Sequence, residues 1–176
     1  MANADSTTTA NAENLVFQPV TESAIVRLIK APLGASHDLF EVLETCQAYV
    51  DELVESKDAT DCMALCGRLL AGLEVLKSAL EAPLPEHLIQ QLTVEDNNFE
   101  NNTHPICDDS ESIREYCRAL TVVLLTRQSS VETQQYITGL LFELIHLLAE
   151  DLKTPRFVRT IDGLARINSE VLPGWR

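Results

Sequence analysis

Glu143 and His146 form a Glu-x-x-His motif, the first candidate metal-binding pair in this 176-residue chain. On a helix this spacing places both side chains on one face, as the di-iron sites of four-helix bundles require. Such a site needs a second copy of the motif, and His37, His87 and His104 each lack a Glu three positions earlier. The sequence therefore predicts no di-iron centre, and we interpret the pair as a rim carboxylate beside a partly buried imidazole.

Two further pairs, Cys62-x-x-x-Cys66 and His104-x-x-Cys107, have the residue types for a zinc site and could together supply four ligands. The spacing within each pair is wider or less regular than in a zinc knuckle, and Cys62 and Cys66 also fit an apolar helical stripe. The chain has 5 cysteines, an odd number that favours reduced thiols over a disulfide framework. The sequence therefore predicts no bound metal.

The sequence supports neither a catalytic nucleophile nor a phosphate-binding loop. Cys107 precedes Asp108 and Asp109, and this acidic setting opposes formation of the thiolate that a cysteine nucleophile needs. The chain has only 6 glycines and contains no Gly-x-Ser-x-Gly motif, Walker loop or dinucleotide-binding loop. We therefore predict that the protein is not an enzyme and carries no cofactor.

The chain is strongly acidic, with 13 Lys+Arg against 27 Asp+Glu and a formal net charge of -14. Proteins that hold nucleic acid through its phosphates need clustered Lys and Arg, and anionic membranes repel acidic surfaces. We therefore expect neither direct nucleic-acid binding nor membrane docking. The N-terminus lacks the basic and apolar regions of a secretory signal, and no apolar run approaches the about 20 residues that span a bilayer, so the predicted localisation is cytoplasmic.

Acidic residues are concentrated between His37 and Asp61, where eight of them stand against one base, Lys57. We predict that a helix in this segment presents a negative surface to a basic protein partner, which would speed encounter and set specificity. The predicted partner-binding residues are Asp38, Glu41, Glu44, Asp51, Glu52, Glu55 and Trp175. Two alternatives stay open: the acidic face is solvated and keeps the protein soluble, or the chain's own basic segment covers it.

The C-terminal end has the opposite charge. From Lys153 to Arg176 there are five basic residues against two acidic ones. Trp175, the single Trp of the chain, could anchor in a partner's pocket or close onto the chain's own core.

Helical periodicity runs through almost the whole chain and predicts an all-α fold. We predict a disordered N-terminal arm over residues 1-18 and a single helical domain over 19-176. Two antiparallel helical hairpins, over about 37-82 and 110-153, are expected to pack as a four-helix core. An acidic loop over 94-109 joins them, and shorter accessory helices include a C-terminal one over 155-171.

The apolar stripes predict which side chains enter the core. In the first long helix they are Leu39, Leu43, Cys46, Val50 and Leu53. In the helix before Pro155 they are Tyr136, Leu140, Leu144 and Leu147, flanked by Ile137, Leu141 and Leu148. An ungapped offset of 71 residues aligns Cys46 with Cys117 and Leu53 with Leu124, among others. An internal duplication and a shared amphipathic pattern would both produce this alignment.

Because no motif carries chemistry, the leading functional hypothesis is a non-catalytic protein-protein interaction protein. This class includes cytoplasmic regulators, adaptors, immunity proteins and chaperone-like binders that mask a partner's surface. One alternative is an acidic nucleic-acid mimic that occupies the basic groove of a DNA-binding protein. Another is a metal-dependent helical-bundle enzyme built on Glu143 and His146 or on the Cys and His pairs. A homodimer is also left open.

Overall fold

A computed structural model of the chain describes residues 23-34, 37-95, 109-161 and 163-167. In chain order the elements are α1 (Ala24–Lys30), α2 (Leu39–Glu55), α3 (Ala59–Glu81), α4 (Glu86–Gln91), β1 (Thr93–Glu95), α5 (Ser110–Thr126), α6 (Val131–Lys153), β2 (Phe157–Thr160) and β3 (Gly163–Arg166). None of the helices within these ranges is both long enough and apolar enough to cross a membrane.

Four long helices form the core, which confirms the predicted all-α fold with a four-helix core. Helix α2 packs on α3 and α6, and α5 packs on the same two helices, so the order around the bundle is α2, α3, α5, α6. Short connections at 56-58 and 127-130 make α2 with α3, and α5 with α6, antiparallel hairpins. The apolar stripe predicted for α2 is buried along its whole length, from Leu39 to Leu53. The accessory helices α1 and α4 were also predicted, and Leu28 of α1 and Leu88 of α4 belong to the packed apolar side chains.

Side-chain caps define where the long helices begin. Asp38 accepts hydrogen bonds from the N–H groups of Phe40 and Glu41, while the Glu41 carboxylate accepts one from the Asp38 N–H, which completes a capping box. Asp58 and Ser130 cap α3 and α6 in the simpler way, with one side-chain oxygen on first-turn N–H groups. These local contacts set the ends of the helices that carry the candidate sites.

The predicted C-terminal helix over 155-171 is wrong, because two strands occupy most of its described part. Strand β2 pairs in parallel with β1, in the register Thr93 to Phe157, and antiparallel with β3, in the register Phe157 to Arg166. Strand β1, which pairs with β2, includes the first two residues of the predicted loop over 94-109. Pairing between residues far apart in the sequence therefore overrides the local helical pattern of this segment.

The predicted inward face of α6 is also partly wrong. Tyr136 and Leu140 are 71% and 51% exposed, whereas Ile145 and the predicted flanking residues Leu141 and Leu148 are fully buried. Helix α6 is apolar on several faces, so its sequence contains more than one stripe of helical period, and packing against α2 and α5 selects between them.

The internal duplication stays a prediction. Helices α2 and α5 each contain 17 residues, and α3 and α6 each contain 23. A duplication gives matched lengths of this kind, and so does a symmetric bundle of unrelated hairpins. The N-terminal arm over 1-18 lies outside the described residues.

Candidate functional site

The acidic residues predicted to bind a partner lie along the outer face of α2, opposite its buried stripe. Glu41, Glu44, Glu52 and Glu55 follow each other at spacings of three, eight and three residues, which places them on one side of a helix. Glu41, Glu44 and Glu55 are exposed and Glu52 is partly exposed. The structure therefore brings four of the predicted residues together, and their local contacts divide the face into three parts.

The N-terminal part of the face serves the fold. Asp38 caps α2, and its Oδ2 lies 2.9 Å from His87 Nε2 at the start of α4. Burial on its own would raise the pKa of Asp38, but the hydrogen bonds from the Glu41 N–H, His87 and the Phe40 N–H outweigh it and lower that pKa. The Glu41 carboxylate is held on the Asp38 N–H. These two carboxylates stabilise the start of α2.

The edge of the face toward α6 is occupied by contacts between the two helices. Lys153 Nζ lies 3.2 Å from Glu44 Oε1, and His146 Nε2 lies 2.9 Å from Asp51 Oδ1. The amide nitrogen of Gln47 is 3.1 Å from His146 Nδ1, so both ring nitrogens of His146 have a protein partner. Glu44 and Asp51 therefore join α2 to α6.

The C-terminal part of the face is different. Neither Glu52 nor Glu55 forms an ion pair with any residue that the structure describes, and the last turn of α2 contains no basic residue. The C-terminus of a helix carries a partial negative charge, and a carboxylate placed there is unfavourable by about 0.3-1 kcal/mol. Glu52 and Glu55 thus lie where they oppose the stability of their own helix.

The basic C-terminal segment covers little of the acidic face. Lys153 forms its one described ion pair with α2, since Arg156 Nη2 lies 3.7 Å from Asp151 and Arg159 Nε lies 3.7 Å from Glu95. Among the described residues, the basic segment therefore neutralises only Glu44 of the acidic face. Trp175, the remaining predicted partner-binding residue, lies outside the described residues.

The candidate metal ligands are dispersed. Within the described ranges no group of three or more His, Cys, Asp and Glu side chains is placed to hold a metal ion. Glu143 is exposed on α6, while the His146 imidazole faces Asp51 and Gln47. Cys62 and Cys66 lie one turn apart on α3, and burial raises the pKa of Cys66 to about 11. His104 and Cys107 belong to the part of the chain that the structure does not describe.

A buried arginine was missed by the sequence analysis. The Arg114 side chain has no exposed surface, and its Nη2 lies 2.6 Å from both Glu111 and Glu115, whereas Nη1 lies 3.4 Å from the Leu73 carbonyl oxygen of α3. Arg114 in turn holds the pKa of Glu111 below its usual value. Arg114 lies between the buried Ile113 and Cys117 on α5, and its two neighbouring glutamates were a signal that could have identified it.

A cavity of about 550 Å³ at one end of the bundle was also missed. It lies where α2 ends, α3 begins, α5 ends and α6 begins, and it is lined by residues from all four helices. Such a volume is within the range that small-molecule sites occupy, about 300-1,000 Å³. No sequence pattern could show it, since its walls come from four separate segments.

Comparison of the chain with protein-family models, with curated proteins and with solved structures finds no match. What the chain does is therefore inferred from its own residues and contacts.

Proposed function

We propose that this chain is a non-catalytic, cytoplasmic interaction protein that binds a basic protein surface through the outer face of α2. The observation that carries the proposal is the pair Glu52 and Glu55. Both carboxylates lie on the last turn of α2 without an ion pair to a described residue. Residues that lower the stability of the free protein are explained if they serve a bound state.

The electrostatics of this end of α2 favour a cationic partner. Asp58 and Asp61 begin the next helix, so carboxylates from both sides of the connection outnumber its one base, Lys57, and add to the negative end of the α2 dipole. A Lys or Arg side chain from a partner would relieve the repulsion between these groups as it binds. Such charges act mainly on the rate of association and on the choice of partner, and their effect weakens with salt.

The other predicted residues take supporting roles in this proposal. Asp38 and Glu41 cap α2, and Glu44 and Asp51 join it to α6, so these four hold the acidic face in position. A partner would contact Glu52 and Glu55 first. At the edge of the face, one of its basic side chains would replace Lys153 as the ion-pair partner of Glu44. The role of Trp175 as an anchor stays a prediction.

The proposal is tested with a double variant, Glu52→Gln with Glu55→Gln. The matched control is Glu81→Gln with Glu143→Gln, which removes the same charge from exposed positions elsewhere. Glu81 ends α3 as Glu55 ends α2, so the control also removes a carboxylate from the negative end of a helix dipole. Each protein is immobilised, exposed to a lysate of its native cell, and its bound proteins are identified by mass spectrometry.

We expect a basic protein that the wild type and the control retain and that the double variant loses. The double variant should also unfold at a higher urea concentration than the wild type, by up to about 1 kcal/mol for each carboxylate removed. Binding that is unchanged in the double variant would contradict the proposal, whatever its stability.

The nucleic-acid mimic is the alternative function that would use the same acidic face, and competition separates the two. If the retained protein is a DNA-binding protein, duplex DNA releases it from the immobilised chain, and raising the salt does so steeply. If duplex DNA does not displace the retained protein, the acidic face recognises a protein surface that is not a DNA-binding groove.

A further inference from the structure

The cavity at the end of the bundle has a chemical character that differs from the rest of the chain. The chain contains 27 Asp+Glu, yet none of the residues that line the cavity is acidic, and two of them, Lys57 and Arg127, are cations. Neither cation forms an ion pair with a described residue. The lining of the cavity is therefore cationic on a protein whose net charge is -14, although Glu55 and Asp58 flank Lys57 in the chain.

The walls of the cavity are mainly apolar. Leu53 of α2 and Leu124 of α5 are buried residues of the lining, and α3 adds Met63. Val54 and Val131 also line the cavity although they are 47% and 74% exposed, so part of the apolar wall is open to water. Exposed apolar side chains at the edge of a concave site favour a ligand that has an apolar part.

The backbone at Arg127 adds a second observation. Arg127 follows the last residue of α5 and has a φ of 51°, in the left-handed region. Glycine is the usual residue at such a position, because a side chain there costs about 1-2 kcal/mol. The chain thus has an arginine where local stability favours glycine, at a residue that lines the cavity.

We propose that this cavity binds a small amphiphilic carboxylate, with its alkyl chain against the apolar wall and its carboxylate paired with Lys57 and Arg127. Both parts of the ligand are needed to match the lining. An uncharged apolar ligand would leave both cations without an ion pair, and an anion without an apolar part would leave the apolar wall exposed to water. Binding is non-covalent, and the carboxylate exchanges its water for the ammonium and guanidinium groups. The proposed site uses residues other than the two carboxylates of the α2 face, since neither Glu52 nor Glu55 lines the cavity.

The test uses octanoate below its micelle-forming concentration, with isothermal titration calorimetry on the full chain. Two probes separate the parts of the ligand: 1-octanol has the chain without the charge, and acetate has the charge without the chain. We expect one octanoate to bind per chain, with 1-octanol at least about tenfold weaker and acetate undetectable, since a hydrogen bond to a charged group contributes about tenfold or more.

Two variants locate the site. Arg127→Gly removes the cation and suits the left-handed backbone, so it should keep or raise the urea midpoint and weaken octanoate binding by about tenfold or more. Arg166→Gln removes a cation on β3 that does not line the cavity, and its affinity should equal that of the wild type. Gly139→Leu places a side chain in the cavity from a helix position whose added Cβ would meet nothing within 4 Å, and it should abolish binding with the fold retained.

The proposal is overturned if octanoate does not bind, if 1-octanol binds as tightly, or if Arg127→Gly and Gly139→Leu, shown to be folded by circular dichroism, bind octanoate as the wild type does. These measurements do not involve Glu52 or Glu55. A failure here therefore leaves the proposed role of the α2 face untouched, and a failure of partner binding leaves this site untouched.

Discussion

Gly72 provides the sharpest test of how closely the two helices of the first hairpin pack. It lies buried in the middle of α3, and a Cβ added to it would lie 2.7 Å from Cys46 Sγ on α2. That separation is well inside van der Waals contact. The perturbation that tests it is Gly72→Ala, a single added methyl group.

Two effects of opposite sign determine the outcome. Alanine is favoured over glycine within a helix by about 1 kcal/mol. Overpacking of a closely packed core by one methyl group costs about 1-3 kcal/mol. Cys46 is fully buried and its side chain is short, so its Sγ cannot swing into solvent to make room. We therefore expect Gly72→Ala to lower the free energy of unfolding by up to about 2 kcal/mol.

The assay is urea unfolding followed by far-ultraviolet circular dichroism, with Gly67→Ala as the matched control. Gly67 lies on the same helix, is exposed, and has nothing within 4 Å of an added Cβ. Gly67→Ala should therefore gain up to about 1 kcal/mol from helix propensity alone. The two variants, which are chemically identical changes on one helix, should differ by about 1-3 kcal/mol.

A double-mutant cycle with Cys46→Ala identifies the clash. Removal of the sulfur leaves room for the new methyl group, so Gly72→Ala should lose its cost in the Cys46→Ala background, a coupling of about 1-3 kcal/mol. The reasoning is refuted if Gly72→Ala is at least as stable as Gly67→Ala, or if its cost is the same with and without the Cys46 sulfur.

Three further predictions follow from the ionisable groups. Asp38→Asn keeps a capping side chain but removes a carboxylate whose pKa is lower in the folded protein than its ordinary value of 3.8. This carboxylate stabilises the fold at pH values above 3.8, so the variant should be less stable than the wild type at neutral pH. The urea midpoints of the two proteins should converge as the pH falls below 3.8. Glu111→Gln with Glu115→Gln leaves the buried Arg114 guanidinium without a charged acceptor and should lower the free energy of unfolding in urea by about 1-3 kcal/mol. Arg114→Met removes the charge and keeps the volume, so it should cost less. The reverse order would show that the two ion pairs do not offset the cost of burying the guanidinium. Burial raises the pKa of Cys117 to about 12, so a thiol reagent should label it only as fast as the protein unfolds, and rapid labelling of the native protein would contradict its buried position.

Much of the fold could be predicted from the sequence because helical periodicity is a local property. The buried stripe of α2 was predicted residue by residue, since its apolar side and its acidic side are clearly separated. Helix α6 has no such separation, and the prediction that Tyr136 and Leu140 point inward failed for that reason. A helix that is apolar on several faces needs its neighbours to select the buried one.

The candidate sites divide in the same way. The concentration of carboxylates between His37 and Asp61 is visible in the sequence, but their separate roles are not. Only the contacts across the bundle distinguish Glu44, which meets Lys153, from Glu55, which has no ion pair with a described residue. The C-terminal strands were missed because β2 pairs with β1, about 60 residues earlier in the chain, and this pairing leaves no periodic mark in either segment.

The sequence by itself determined the helical class, the two hairpins and the position of the acidic segment, because each depends on residues within a few turns of one another. Only the tertiary structure decided which of those carboxylates are engaged, that Arg114 is buried with two glutamates, and that Lys57 and Arg127 line one apolar cavity. These features join residues from different helices, and the free energy that holds them arises from packing and charge pairing between segments far apart in the chain. Their positions follow from the arrangement of the helices, which no local pattern records.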